Sequence, residues 1–296
     1  MTAGHPVCET LIRAYRRSSP TRRLGVPLTT HDVALEPFVA SARFRLAGMA
    51  VHLYTASGTV LAFLMVIAAI DGDAIRALWI SLVALVIDGT DGMLARRLRV
   101  KETIPSFDGA RLDDIVDYIT YVFAPVILLW TGGYLPGGVF GGTLAALPLL
   151  ASSYQFCRVD AKTEDHFFLG FPSYWNVVAF YVVVVGLSPT TTGIILVVCS
   201  SLVFVPIKYI YPSRTRAFRK ANLAFTAGWL LTYAVLLLQM PDPNPVVLWL
   251  SVGYLVYYLA SSVYLTLNPS PRVLRSSVPP SQPEARVSAT TTGLGD

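Results

Sequence analysis

Asp88-Gly-Thr-Asp91-Gly92-Met-Leu-Ala95-Arg96 and, after the twelve residues of 97–108, Gly109-Ala-Arg-Leu-Asp113-Asp-Ile-Val-Asp117 decide how this chain reads. The pattern is D-x-x-D-G-x-x-A-R followed by G-x-x-x-D-x-x-x-D. It lies between two apolar runs, Ala77–Ile87 and Ile119–Trp130. Four carboxylates therefore sit at the ends of two membrane-length helices. A carboxylate near hydrocarbon is costly unless it is paired or bound to a metal. Four that converge point to a divalent-cation site.

Helix geometry makes them converge. Residues three, four and seven apart share a face, so Asp88, Asp91 and Ala95 line one side of the first helix. Gly109, Asp113 and Asp117 repeat every four residues and line one side of the second. The connection 97–108 lets the helices run antiparallel with these faces opposed. Mg²⁺ or Mn²⁺ takes several oxygens, often shared with phosphate, and four carboxylates could hold two ions. Gly92, Ala95 and Gly109 have little or no side chain, so a polyanionic ligand could approach the backbone, or the helices could simply pack closely. Arg96 suits bidentate contact with phosphate.

The rest of the chain agrees with a membrane setting. Of 296 residues, 54% are hydrophobic and only 14% charged, against about 25% charged in soluble domains. The mean hydropathy is +0.56. The fold expected is an all-α polytopic integral membrane protein of about eight transmembrane helices, near 46–70, 74–95, 110–132, 137–157, 173–187, 190–210, 221–240 and 245–267. With the N-terminus cytoplasmic, 22 of the 23 lysines and arginines fall on the inner side and only Arg76 on the other. The positive-inside rule then places both termini and the aspartate motif in the cytoplasm, at the inner membrane of the cell. This distribution explains the net charge of +5 without nucleic acid. Residues 1–45 form a cytoplasmic segment with seven arginines and no cleavable-signal pattern. Within it, Leu35–Leu46 reads equally as an interfacial helix or as an extension of the first span. Residues 46–267 form the membrane domain, and 268–296, rich in Pro, Ser and Thr, a disordered tail. Cys8, Cys157 and Cys199 are too scattered for a disulfide framework.

Both halves of the motif resemble the signature of the CDP-alcohol phosphotransferases, integral membrane enzymes of phospholipid synthesis. The departure is the gap, twelve residues here where the commoner form has eight, which defeats a strict pattern search. The longer gap is similar to that of one branch, the bacterial phosphatidylcholine synthases. Further stretches resemble that branch: Val100–Pro105, Leu112–Val122, 162–176 and Phe204–Lys208. The resemblance runs from about residue 46 to residue 267. It implies transfer of a phosphatidyl group from CDP-diacylglycerol to choline with release of CMP. By carry-over, Asp88, Asp91, Asp113 and Asp117 would hold Mn²⁺ or Mg²⁺. Asp117 would also be the general base, and Gly92, Ala95, Arg96 and Gly109 would border the CDP. Related enzymes are often dimers, so the analogy adds a homodimer.

Choline has no N–H, so aromatic faces are the physical means of recognising it. Tyr118, Tyr121, Tyr154 and Trp175 are the candidates for that cage, although tyrosine and tryptophan also gather at membrane interfaces for ordinary reasons. Glu164 and Asp165 could attract the cation. Lys208 is a candidate for the lipid phosphate, and His52, Tyr54 and Thr55 could face the nucleotide. Two rivals stand beside this expectation. One keeps the chemistry with serine, inositol or glycerol phosphate as acceptor. The other is a divalent-cation transporter, against which the absence of an internal repeat counts.

Overall fold

Helix-breaking residues separate the apolar stretches, and each break becomes a turn. The computed structural model describes residues 42–163, 165, 167–212, 215 and 219–268, and these are mostly helical. Helices α1 (Ala42–Ile70) and α2 (Ala74–Arg97) form an antiparallel pair. Between them Gly72 takes φ +77, and Asp73 caps α2 by accepting from the Arg76 N–H at 2.9 Å. After α2 comes the short α3 (Val100–Thr103), within the long gap of the motif.

The expected third span is helical from Gly109 to Thr131 but not uniformly. It consists of α4 (Gly109–Asp117), one π turn (Tyr118–Phe123) and α5 (Ala124–Thr131). Pro125 explains the interruption: it has no N–H to offer the Tyr121 carbonyl, and its ring crowds that carbonyl. The Ala124 N–H bonds Ile119 O instead, five residues back. Helices α6 (Gly138–Cys157), α7 (Trp175–Val185), α8 (Pro189–Leu202), α9 (Arg219–Leu238) and α10 (Pro245–Leu267) complete the helical set. By length and apolarity α1, α2, α9 and α10 can each cross a membrane. The helices at the expected fifth and sixth spans have only 11 and 14 residues, short of the roughly 20 that a crossing takes.

Two expectations are corrected here. The sixth span does not continue as helix to residue 210: α8 ends at Leu202, and Pro206, which lacks an N–H and disfavours helix at the residue before it, follows in the connection to β2. Nor is the chain wholly α. Lys208–Ile210 (β2) pairs antiparallel with Phe167–Leu169 (β1), Phe167 opposite Ile210 and Leu169 opposite Lys208. Its other edge is closed by α10, where Ser262 Oγ and Thr266 Oγ1 accept the N–H groups of Ile210 and Lys208 at 3.1 and 2.9 Å. Among the described residues helix α1 runs from Ala42, so 42–46, the described part of 35–46, belong to that helix. Residues 1–41 and 269–296, with Glu164, His166 and Arg214, lie outside the described residues.

Without a hydrophobic force between helices in lipid, close packing and internal hydrogen bonds hold them together. Along α1 the buried positions include Gly58, Ala62, Ala68 and Ala69; a Cβ on Gly58 would lie 2.5 Å from Val116 Cγ1. Deeper, Phe180 and Tyr233 stack with ring centroids 3.7 Å apart. The polar tips of this core are satisfied. Tyr233 donates to Leu78 O at 3.2 Å, and Trp229 Nε1 donates to the Tyr181 hydroxyl, which pairs with Ser251 Oγ.

The segment carrying β1 turns sharply at Gly170. Its φ is +84, and a Cβ there would lie 2.2 Å from Val203 O. Gly170→Ala should therefore destabilise the protein by about 2 kcal/mol or more, read as a thermal midpoint several degrees lower in detergent. An unchanged midpoint would contradict this role.

Candidate active site

The π turn and the α1–α2 pairing bring the motif together. One carboxylate oxygen from each of Asp88, Asp91 and Asp113 can be chosen so that all three lie within 4.8 Å of one another. Oxygens around a single Mg²⁺ at about 2.1 Å are at most about 4.2 Å apart, so a small closure would complete the donor set. Asp117 lines the same two cavities as Asp88 and Asp113. Like charges this close repel unless a cation or proton lies between them. The donors, hard and oxygen-only, fit Mg²⁺ or Mn²⁺.

Neighbouring side chains fix the donors. Thr55 Oγ1, on α1, donates to Asp91 Oδ2 at 2.7 Å, and Asp91 is only 4% exposed. The Tyr121 hydroxyl, carried by the π turn, donates to Asp88 Oδ2 at 2.5 Å. Such partners orient a ligating carboxylate before the ion arrives. Tyr54, one turn from the site on α1, pairs with Thr90 Oγ1 at 2.9 Å.

Asp88, Asp113 and Asp117 line two cavities in common, as a wall shared between them. Asp91, Thr55 and Thr120, with the apolar Ala84, Ile87 and Val116, are among the other residues lining the smaller cavity. Tyr121, Gln155, Lys162, Phe168, Tyr174 and Tyr211 are among the residues lining the larger one. Four of its rings form a chain. Tyr121 meets Tyr174 edge-on at 6.2 Å, Tyr174 meets Phe168 at 6.4 Å, and Phe168 stacks on Tyr211 at 4.6 Å. These rings come from the π turn, the residue before α7, β1 and the residue after β2. Lys162 is the one cation among the described residues lining this cavity. Its Nζ lies 3.2 Å from Asp114 Oδ1. Burial opposes its charge, but Asp114 outweighs that and holds its pKa above the ordinary lysine value.

Of the expected cage, the structure brings Tyr121 to the cavity. Tyr118, Tyr154 and Trp175 are elsewhere. Tyr118 donates to Leu149 O at 3.1 Å and packs edge-on against Phe156. Tyr154 lies against Phe204, with the Arg158 guanidinium 5.6 Å from its ring centre. Trp175 is fully buried, with its Nε1 donating to Ser152 Oγ at 2.7 Å. Lys208 is committed to Asp165 at 2.8 Å, a pair that clasps β2 to the loop before β1.

The motif glycines differ. Beside Gly92 a Cβ would meet only Arg96 Nη1, at 3.2 Å, so protein packing makes little demand for smallness there. At Gly109 a Cβ would lie 2.6 Å from His52 Cε1. The glycine thus seats the His52 ring, which also packs on Phe107 at 4.4 Å. Ala95 is half-buried and Arg96 exposed at the same helix end. Sequence spacing passed over Gln155, Phe168 and Tyr211, and treated Lys162 only as a charge on the inner side. Strand pairing between distant segments delivers most of them, and no local period signals it.

No family model matches the chain. Curated relatives do. It is 43% identical over 204 residues to a phosphatidylcholine synthase of Legionella bozemanae, covering 67% of this chain and 94% of that protein. To phosphatidylcholine synthases of Pseudomonas aeruginosa and Borreliella burgdorferi it is 40% and 37% identical, over 71% and 73% of this chain and 87% and 93% of theirs. Identity of this extent, over nearly the whole length of such relatives, places the chain in the phosphatidylcholine synthase family of CDP-alcohol phosphotransferases.

Proposed function

We propose that this protein transfers the phosphatidyl group of CDP-diacylglycerol to choline, giving phosphatidylcholine and CMP at the cytoplasmic face of the inner membrane. The observation that carries this reading is the aspartate wall shared by a carboxylate cavity and a ring-lined one. Eight crossings with both termini cytoplasmic, and a homodimer, belong to the same proposal.

Asp88, Asp91, Asp113 and Asp117 would hold Mn²⁺ or Mg²⁺, which when bound neutralises the pyrophosphate and the charge of departing CMP. Gly92, beside which a side chain would meet only the Arg96 guanidinium, and Ala95, Arg96 and Gly109 border the CDP. Lys162 adds a fixed positive charge for the phosphate under attack. An alcohol is a poor nucleophile, so a carboxylate must take its proton as the new P–O bond forms. The family resemblance gives this role to Asp117, which with Asp88 and Asp113 lines both cavities. The quaternary ammonium lies among Tyr121, Phe168, Tyr174 and Tyr211, whose ring faces attract a cation without hydrogen bonds. Tyr121 is kept from the cage expected from sequence, and Phe168, Tyr174 and Tyr211 stand in place of its other members. A phosphorylated acceptor would need several cations here, and Lys162 alone, already paired with Asp114, does not supply them.

Purified protein in detergent with CDP-diacylglycerol and Mn²⁺ should release CMP with choline and not with serine, inositol or glycerol 3-phosphate. Release with one of those in place of choline would overturn the acceptor, and release with none would overturn the reaction. Asp117→Asn should lower turnover by roughly 10²–10⁴-fold while binding of CDP-diacylglycerol is largely kept. Turnover like wild type would remove Asp117 from the role of base.

A further inference from the structure

One buried polar atom of a residue that lines the ring-bearing cavity has no partner in the protein. Gln155, near the end of α6, lines the ring-bearing cavity and is 5% exposed. Its Nε2 donates to Leu169 O at 3.0 Å, which fixes the orientation of the amide, because the oxygen could not face a carbonyl. Its Oε1 is buried and has no hydrogen-bond partner. A buried acceptor left unpaired costs as much as a lost hydrogen bond, so such an atom marks a place where a donor is expected.

We infer that Gln155 Oε1 reads the head group of the acceptor alcohol and admits a second substrate class, tertiary ammonium alcohols such as N,N-dimethylethanolamine. This rests on the proposed phosphatidyl transfer to choline. Against the trimethylammonium of choline the oxygen meets only polarised methyl C–H groups, a weak contact. Against a protonated dimethylamine it accepts a charge-assisted N–H hydrogen bond, while the rings hold the remaining methyl groups. The lost methyl contact is offset by the gained hydrogen bond. Primary amines leave more N–H groups facing ring carbons and are disfavoured. The reaction itself is unchanged. The alcohol oxygen forms a bond to the phosphatidyl phosphorus, the bond from that phosphorus to the CMP oxygen breaks, and the hydroxyl proton passes to Asp117.

The full-length protein would be assayed for CMP release with choline and with N,N-dimethylethanolamine, as wild type and as Gln155→Leu. The wild type should use both alcohols with kcat/KM values within about tenfold of each other. Gln155→Leu should raise the choline-to-dimethylethanolamine ratio of kcat/KM by at least about tenfold, the cost of burying an N–H without an acceptor. Loss of the Nε2 bond to Leu169 O disturbs both substrates alike and cancels in the ratio. An unchanged ratio, with both activities kept or both reduced, would overturn the inference. If the variant does not fold, the wild type decides: discrimination against dimethylethanolamine beyond about tenfold means that its N–H finds no acceptor and overturns the inference. A wild type without choline-dependent release would instead refute the proposed reaction.

Discussion

Mutual repulsion among Asp88, Asp91, Asp113 and Asp117 is the constraint to which the rest of the structure answers. Carboxylates at the ends of apolar helices lose solvation and crowd one another, and neither cost is recovered within the helices that carry them. Their neighbours recover part of it. Thr55 supplies a hydroxyl to Asp91 from α1, and Tyr121 supplies one to Asp88 from the π turn. Both bonds require close helix approach, and small residues at the α1 seam permit it. A divalent cation would balance what remains. A site arranged in this way is held ready by its supports, and binding the ion costs little further reorganisation.

The same economy shapes the ring-lined cavity. Pro125 removes one backbone donor, the chain answers with a π turn, and Tyr121 is carried over Asp88. On the far side a three-residue strand pair brings Phe168 and Tyr211 face to face. The pair would be weak alone. Ser262 and Thr266 close its outer edge, the Lys208–Asp165 ion pair clasps it, and Gly170 supplies the turn beside it. Asp88, Asp113 and Asp117 are then shared between the cavity that Asp91 lines and the aromatic one.

Much of this was legible in the sequence where the signal was local. Spacings of three and four residues fixed the faces of α2 and α4, and the aspartates do meet. Apolar length identified the helices, and Asp71-Gly72-Asp73 marked the first turn. What escaped was non-local. Trp175 looked like a ring for a cation, yet its neighbours bury it and Ser152 takes its N–H. Lys208 looked like a phosphate ligand, yet strand pairing turns it towards Asp165. Tyr211 and Phe168 are separated by 42 residues and meet only through the sheet. Gly109 read as room for a nucleotide, and its missing side chain also makes room for His52.

The central claim is that the four aspartates form one divalent-cation site. The most direct test is electron paramagnetic resonance of Mn²⁺ titrated into purified wild-type protein and into an Asp88→Ala/Asp113→Ala variant shown to elute as the wild type does. The account predicts bound Mn²⁺ in the wild type and its loss in the variant. Equal binding by both, or none by the wild type, would contradict it.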